Sequence, residues 1–226
     1  VVESTAKVLN AYGMDVSETE RVHKVLMQTQ NLGITTVGEL GSVLAQVTPT
    51  AAAFGVSFEQ IGASLATMTA AGTPAAQATT QLNSLFSELG KAGTLAADNL
   101  AAAAKNTEYA GMSFQDMMAA GVPLNEVLGI MGDYATQNGL SMLDMFSSIE
   151  AGRAALSMTG EASQTFTDNL AAMATETDVV GDAYNKVTST SGATFNEMLN
   201  QLKNAAIQVF EAFSPILEES LPILTE

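Results

Sequence analysis

Glycine recurs along this chain in one fixed setting, and that setting limits how far any helix can run. GVSFEQI (Gly55 to Ile61), GMSFQDM (Gly111 to Met117) and GLSMLDM (Gly139 to Met145) share one order: glycine, apolar, serine, apolar, two mostly polar residues, apolar. A looser copy, GVPLNEV, starts at Gly121. Helices often end on a left-handed glycine followed by an apolar residue that packs back. The next helix wants Ser or Thr at its N-cap, with an apolar residue before the cap that staples to the fourth helical position. The motif compresses stop and start into three residues. Gly55, Gly111 and Gly139 are therefore the expected stops, and Ser57, Ser113 and Ser141 the expected caps. The staples would be Val56 with Ile61, Met112 with Met117 and Leu140 with Met145, while Gln60, Asp116 and Asp144 stand where a side chain can return the capping bond. The competing use is a phosphate-cradling loop, because helix N-termini attract anions. No Lys follows in the pattern, and Glu59, Asp116 and Asp144 put negative charge in the first turns. Capping is the better reading. Spacings of 56 and 28 residues between the three glycines hint at duplication without a clean register.

The rest of the chain reads the same way. Val2 to Tyr12 forms a helix closed by Gly13, and Ser17-Glu18-Thr19-Glu20 has the spacing of a capping box. The helix that follows turns Val22, Val25, Leu26 and Leu32 inward and stops at Gly33. Thr36 and Glu39 repeat the box, and Pro49 is expected to bend or restart the helix before Gly55. Thr73-Pro74 opens a helix carrying Ala78, Leu82, Leu85, Phe86 and Leu89. An alanine-rich segment runs from Thr94 to Lys105, with further helices from near Ser113, near Pro123, at Ser141 and over Glu161 to Thr175. Val179 to Val187 reads as another short helix. No strand pattern is evident. The expected fold is all-α, an array of about ten to twelve short helices of ordinary length with Gly/Ser-capped turns. We expect a core domain over 1–187, a polar linker over 188–192, and a longer amphipathic helix over 193–226. In that last segment Phe195, Leu199, Leu202, Val209 and Phe213 fall on a heptad seam, the candidate surface for self-association.

Composition narrows function by exclusion. Eight Lys and Arg oppose 24 Asp and Glu, for a net charge of −16. Basic residues stand singly, apart from Arg21 near Lys24, so the clustered cations that bind phosphates are missing. Neither nucleic acid nor an anionic lipid surface is expected as a partner. No apolar run approaches the roughly 20 residues of a membrane span, and the piece is expected to be soluble. Without cysteine, thiol chemistry and disulfides are excluded. The single histidine, His23, has no nucleophile motif with it and reads as a half-exposed helix residue. Glu18/Glu20 and Glu218/Glu219 could flank a glycosidic bond, but aromatic platforms are scarce, and they read as solvated or first-turn acids. The four tyrosines suit the edges of a core, and the 12 methionines suit its interior. No catalytic residue, cofactor or metal is expected. The opening Val1-Val2-Glu3 reads as the start of a piece of something longer.

Several segments, in order, resemble the core region of phage tail tape measure proteins. They are Lys7-Val8-Leu9-Asn10-Ala11-Tyr12-Gly13, the stretch from Ala51 to Leu89, Ala155-Leu156-Ser157-Met158-Thr159-Gly160, and Phe195 to Leu224 with its Phe213-Ser214-Pro215-Ile216-Leu217 step. The resemblance covers nearly the full chain. It implies a structural protein of the virion tail lumen, present in the infected cell during assembly, that sets tail length and helps DNA cross the envelope on ejection. Tail tube, tail-tip and tail assembly proteins would be its partners, and membrane contact would fall to regions outside this piece. A rod of 226 helical residues would reach about 340 Å. The frequent glycine stops instead favour a compact domain within a longer ruler. A secreted or toxin-like helical protein that rearranges into membranes is the alternative from another class. A cell-wall hydrolase is a third, and Gly160-Glu161-Ala162-Ser163 lacks the groups such an enzyme needs.

Overall fold

A computed structural model of the chain describes residues 2–174. The polar linker, the helices expected over 179–187 and 193–226, and the seam from Phe195 to Phe213 lie outside the described residues. Among the described residues there are ten α-helices and no strand. They are α1 (Val2–Tyr12), α2 (Thr19–Leu32), α3 (Val37–Ala53), α4 (Phe58–Ala70), α5 (Ala75–Gly90), α6 (Leu95–Ala104), α7 (Phe114–Ala119), α8 (Leu124–Gln137), α9 (Ile149–Leu156) and α10 (Ala162–Ala174). Two 3-10 turns, Val16–Glu18 and Met142–Met145, precede α2 and α9.

The array is built around α4. Phe58 and every residue from Gln60 to Thr69 are buried, because α2, α3, α5 and α10 all pack on it. A helix enclosed on all sides must satisfy any polar side chain internally. Ser64, Thr67 and Thr69 do so by donating to the carbonyls of Gln60, Ala63 and Leu65 at 2.7, 2.8 and 2.7 Å. These short hydroxyl side chains let neighbouring helices come near. Gly62 marks a close approach of α2 to α4: a Cβ there would meet Val25 Cγ1 at 2.6 Å and Thr29 Oγ1 at 2.9 Å. Around this centre α1 lies on α3, α5 lies between α3 and α9, and α6 packs on α8. Met68, Met117, Met131, Met145, Met158 and Met173 fill irregular space in the shared core.

Several local expectations change. Ser17 does not cap α2: it lies in the Val16–Glu18 turn, whose own cap is the Asp15 carboxylate accepting from Ser17 N–H at 2.9 Å. Leu32 is exposed rather than inward. Thr36 accepts from Glu39 N–H, but Glu39 returns to the Thr35 hydroxyl, so this box is half formed. Pro49 does not restart α3, which runs unbroken from Val37 to Ala53. Ser141 opens only the Met142–Met145 turn; the true helix, α9, has its own cap, Ser148, seven residues on. No helix among the described residues is long and apolar enough to cross a membrane.

Two glycine substitutions should have opposite signs. Alanine within a helix gains about 0.8–1.0 kcal/mol over glycine from propensity. Gly129→Ala, with nothing within 4 Å of the added methyl, should stabilise by about that amount. Gly62→Ala should destabilise by roughly 1–3 kcal/mol, because overpacking against Val25 outweighs propensity. Thermal melts of the two variants read both signs directly.

Candidate functional site

The repeated motif supplies the only convergent set of side chains that the sequence singles out within the described residues. At the first copy, α3 ends in a Schellman arrangement: Val56 N–H donates to Ala51 carbonyl at 2.9 Å, and Gly55 sits at φ +78°. Ser57 then accepts from Gln60 N–H at 3.2 Å to open α4. Val56 and Ile61 are both fully buried. At the second copy Ser113 and Asp116 form a closed box. The Asp116 carboxylate accepts from Ser113 N–H at 2.9 Å and Ser113 Oγ at 2.7 Å, and Asp116 N–H returns to Ser113 Oγ at 3.2 Å. Gly111, at φ +81°, closes a run of turns rather than a helix, since α6 has already ended at Ala104. At the third copy Asp144 accepts from Ser141 N–H and Oγ at 2.8 and 2.7 Å. Leu140 is exposed, so the staple to the buried Met145 is missing there.

Gln60 departs from the pattern. Instead of returning to Ser57, its buried side chain crosses to the fourth copy, where Oε1 accepts from Leu124 N–H at 2.7 Å. The reason lies in Pro123: standing where the other copies have serine, it has no hydroxyl to cap α8. The other end of the amide is 3.8 Å from Met118 Sδ in α7. The second copy reaches back, with Gln115 Nε2 donating to Ala53 carbonyl at the end of α3 at 2.8 Å. Two further contacts converge on the first copy. Tyr12 Oη donates to Val56 carbonyl at 2.7 Å, and burial raises the Tyr12 phenol above its ordinary value. Arg21 grips Glu59 through two bonds of 2.6 and 3.0 Å. Gly55 to Ile61 thus ties α1, α2, α7 and α8 together. The third copy stands apart, held by Asn99 Nδ2 on Met145 carbonyl at 3.1 Å. The neighbouring α9 is capped from a distance by Glu88, whose carboxylate accepts from Ser147 and Ser148 N–H at 2.7 and 2.9 Å.

A groove of about 410 Å³ opens beside the second copy, lined by Gly90, Gly93, Leu100, Met112 and Phe114 among others. Its one ionisable group, Asp98, is acidic, and the Ser113 amide and hydroxyl nearby are already bonded to Asp116. An anion would meet the carboxylates of Asp98 and Asp116 there, an unfavourable field. His23 Nε2 lies 2.9 Å from Thr5 Oγ1 and ties α2 to α1. Tyr109 donates to Glu126 at 2.6 Å, a bond that pushes its phenol up to about 12. Among the described residues no group of His, Asp and Glu has the arrangement of a metal site. The long-range caps Gln60, Glu88 and Gln115 were not legible as site residues; Pro123 at a serine position was the one available clue to Gln60.

What these contacts define is an architectural class, a helical array whose polar side chains close its own helix ends. Residues 1–138 match the family of phage-related minor tail proteins, and the chain belongs to that family. It is also 58% identical over 217 residues to a protein of Clostridium phage phiCD119 named "probable tape measure protein". That match takes in 96% of this chain, which spans 23% of the relative's length. No solved structure matches the chain.

Two measurements follow from the caps. Gln60→Ala should destabilise by about 2–4 kcal/mol, since it leaves Leu124 N–H buried without a partner and opens a cavity; denaturant midpoints read this. The Asp116 and Asp144 carboxyls lie below the usual range because the Ser113 and Ser141 hydroxyls, and then their N–H groups, bond the charged form. Their contribution is complete above the unfolded value of about 3.9 and is lost as pH falls through the lower folded value. Asp116→Asn with Asp144→Asn should therefore lower the neutral plateau of a stability–pH curve and flatten its acid side below about pH 4, so that the variant and the parent converge in acid.

Proposed function

We propose that this chain is a compact helical domain of a phage tail tape measure protein, acting as a structural part of the tail rather than as an enzyme. The observation that carries the reading is the family match together with the 58% identity to a protein of that name. The whole protein would lie in the tail lumen of the virion, be present in the infected cell during assembly, set tail length, and assist DNA ejection. Its partners would be tail tube, tail-tip and assembly proteins. Support for a structural role within it comes from the way its polar side chains are spent on helix ends. A net charge of −16 suits a protein that shares a channel with DNA without adhering to it.

The domain folds back on itself, so it would not act as the ruler. If residues 2–174 were extended helix, their 173 residues would account for about 260 Å at 1.5 Å per residue. Deleting the corresponding codons from the whole tape measure gene and measuring tails by electron microscopy tests this. We expect tails of near-normal length, or none if the domain is needed for assembly. Tails shortened by the full helical length would overturn the compact reading.

A further inference from the structure

Helix α9 is packed inside out. Its inward face is made of Ala151, Gly152, Ala154 and Ala155, all buried. Its large apolar residues face outward, Ile149 at 64% and Leu156 at 46% exposure. Seven residues apart, they lie on one stripe of the helix. Leu143, itself 43% exposed, widens that stripe by lying over Gly152, where an added Cβ would come within 2.7 Å of Leu143 Cδ2. Along the opposite flank stand Glu150 and Arg153, both exposed, whose side chains make no hydrogen bond or ion pair to any described residue. Glu150 and Arg153 are three apart and of opposite sign.

That order is self-complementary. Laid antiparallel against a second copy about a two-fold axis at the middle of the helix, Ile149 meets Leu156 of the other copy and the reverse, while each Arg153 comes within reach of the other copy's Glu150. A closed two-fold contact needs this kind of reciprocity. Opposite charges placed to meet each other, beside an apolar stripe, favour one register over its neighbours. We propose that the outward face of α9 is a self-association surface, on which two copies of this chain pair antiparallel. An eight-residue helix contributes well under the roughly 1,000 Å² typical of a stable interface. Each copy also carries a charge of −16. The contact is accordingly weak and acts where copies are held at high local concentration.

The chain has no cysteine, which gives a clean test. Ile149→Cys and Leu156→Cys variants of the full chain are oxidised singly and as a mixture. Antiparallel pairing brings position 149 against 156, while like positions lie about 10 Å apart along the axis, beyond disulfide reach. The mixture should therefore yield far more linked dimer than either variant alone; equal or absent yields would sink the proposal. Sedimentation equilibrium over a concentration series in about 0.15 M salt supplies the second arm. Ile149→Asp should weaken association roughly tenfold or more. Arg153→Glu should weaken it too, and adding Glu150→Arg should recover it. Melting curves show whether each variant is folded. A chain that stays monomeric throughout, association indifferent to these changes, or no recovery in the double exchange would each overturn the assignment.

Discussion

Every helix leaves its first four N–H groups and last four carbonyls without partners in its own backbone, and short helices feel this most. The helices here run from six to seventeen residues, so a large share of the backbone lies at an end. When such ends are buried, an unpaired group costs about 1–3 kcal/mol. The array depends on closing them, and it does so in two ways. Some caps come from the residue next door, as in the Ser113–Asp116 box. Others come from a different helix, as with Gln60 on α8, Glu88 on α9 and Gln115 on α3. A cap supplied from elsewhere does more than satisfy a donor. It fixes where one helix starts relative to the helix that caps it.

This division explains what could be read from the chain alone. Asp116 capping Ser113 is a matter of three residues, and the spacing shows it. Gln60 and Leu124 are 64 residues apart, and Glu88 and Ser148 are 60 apart. No local pattern carries that pairing. At the first copy the local rule even pointed the wrong way, because Gln60 has the chemistry to bond either its own helix start or another. Burial decided: α8 begins with proline and had no cap of its own.

α9 shows a second limit. Periodicity finds helices by assuming that large apolar residues face inward. In α9 the inward residues are glycine and alanine, and the large ones point to water. Its start at Ser148 is not marked by the pattern that marks Ser141, because its apolar signal has the opposite phase from its neighbours. The all-α class, the glycine stops and most helix starts remained legible, since each rests on local chemistry: left-handed glycine at φ +78° in Gly55 and +68° in Gly139, and serine before an apolar run. The family likeness rested on the order of these stops along the chain rather than on any reactive group.

The Gln60 bond also has a bearing on the order in which the protein is made. Synthesis from the N-terminus produces α4 well before α8 exists. For that interval the Gln60 side-chain oxygen can accept only from solvent or from its own helix start, in a helix destined to be enclosed on all sides. Until α8 has been made, the first half of the array lacks the native partner of its central helix. The 64-residue span to Leu124, and the longer one of 102 residues from Thr67 to Asn169 in α10, set how much chain must emerge before α4 is enclosed.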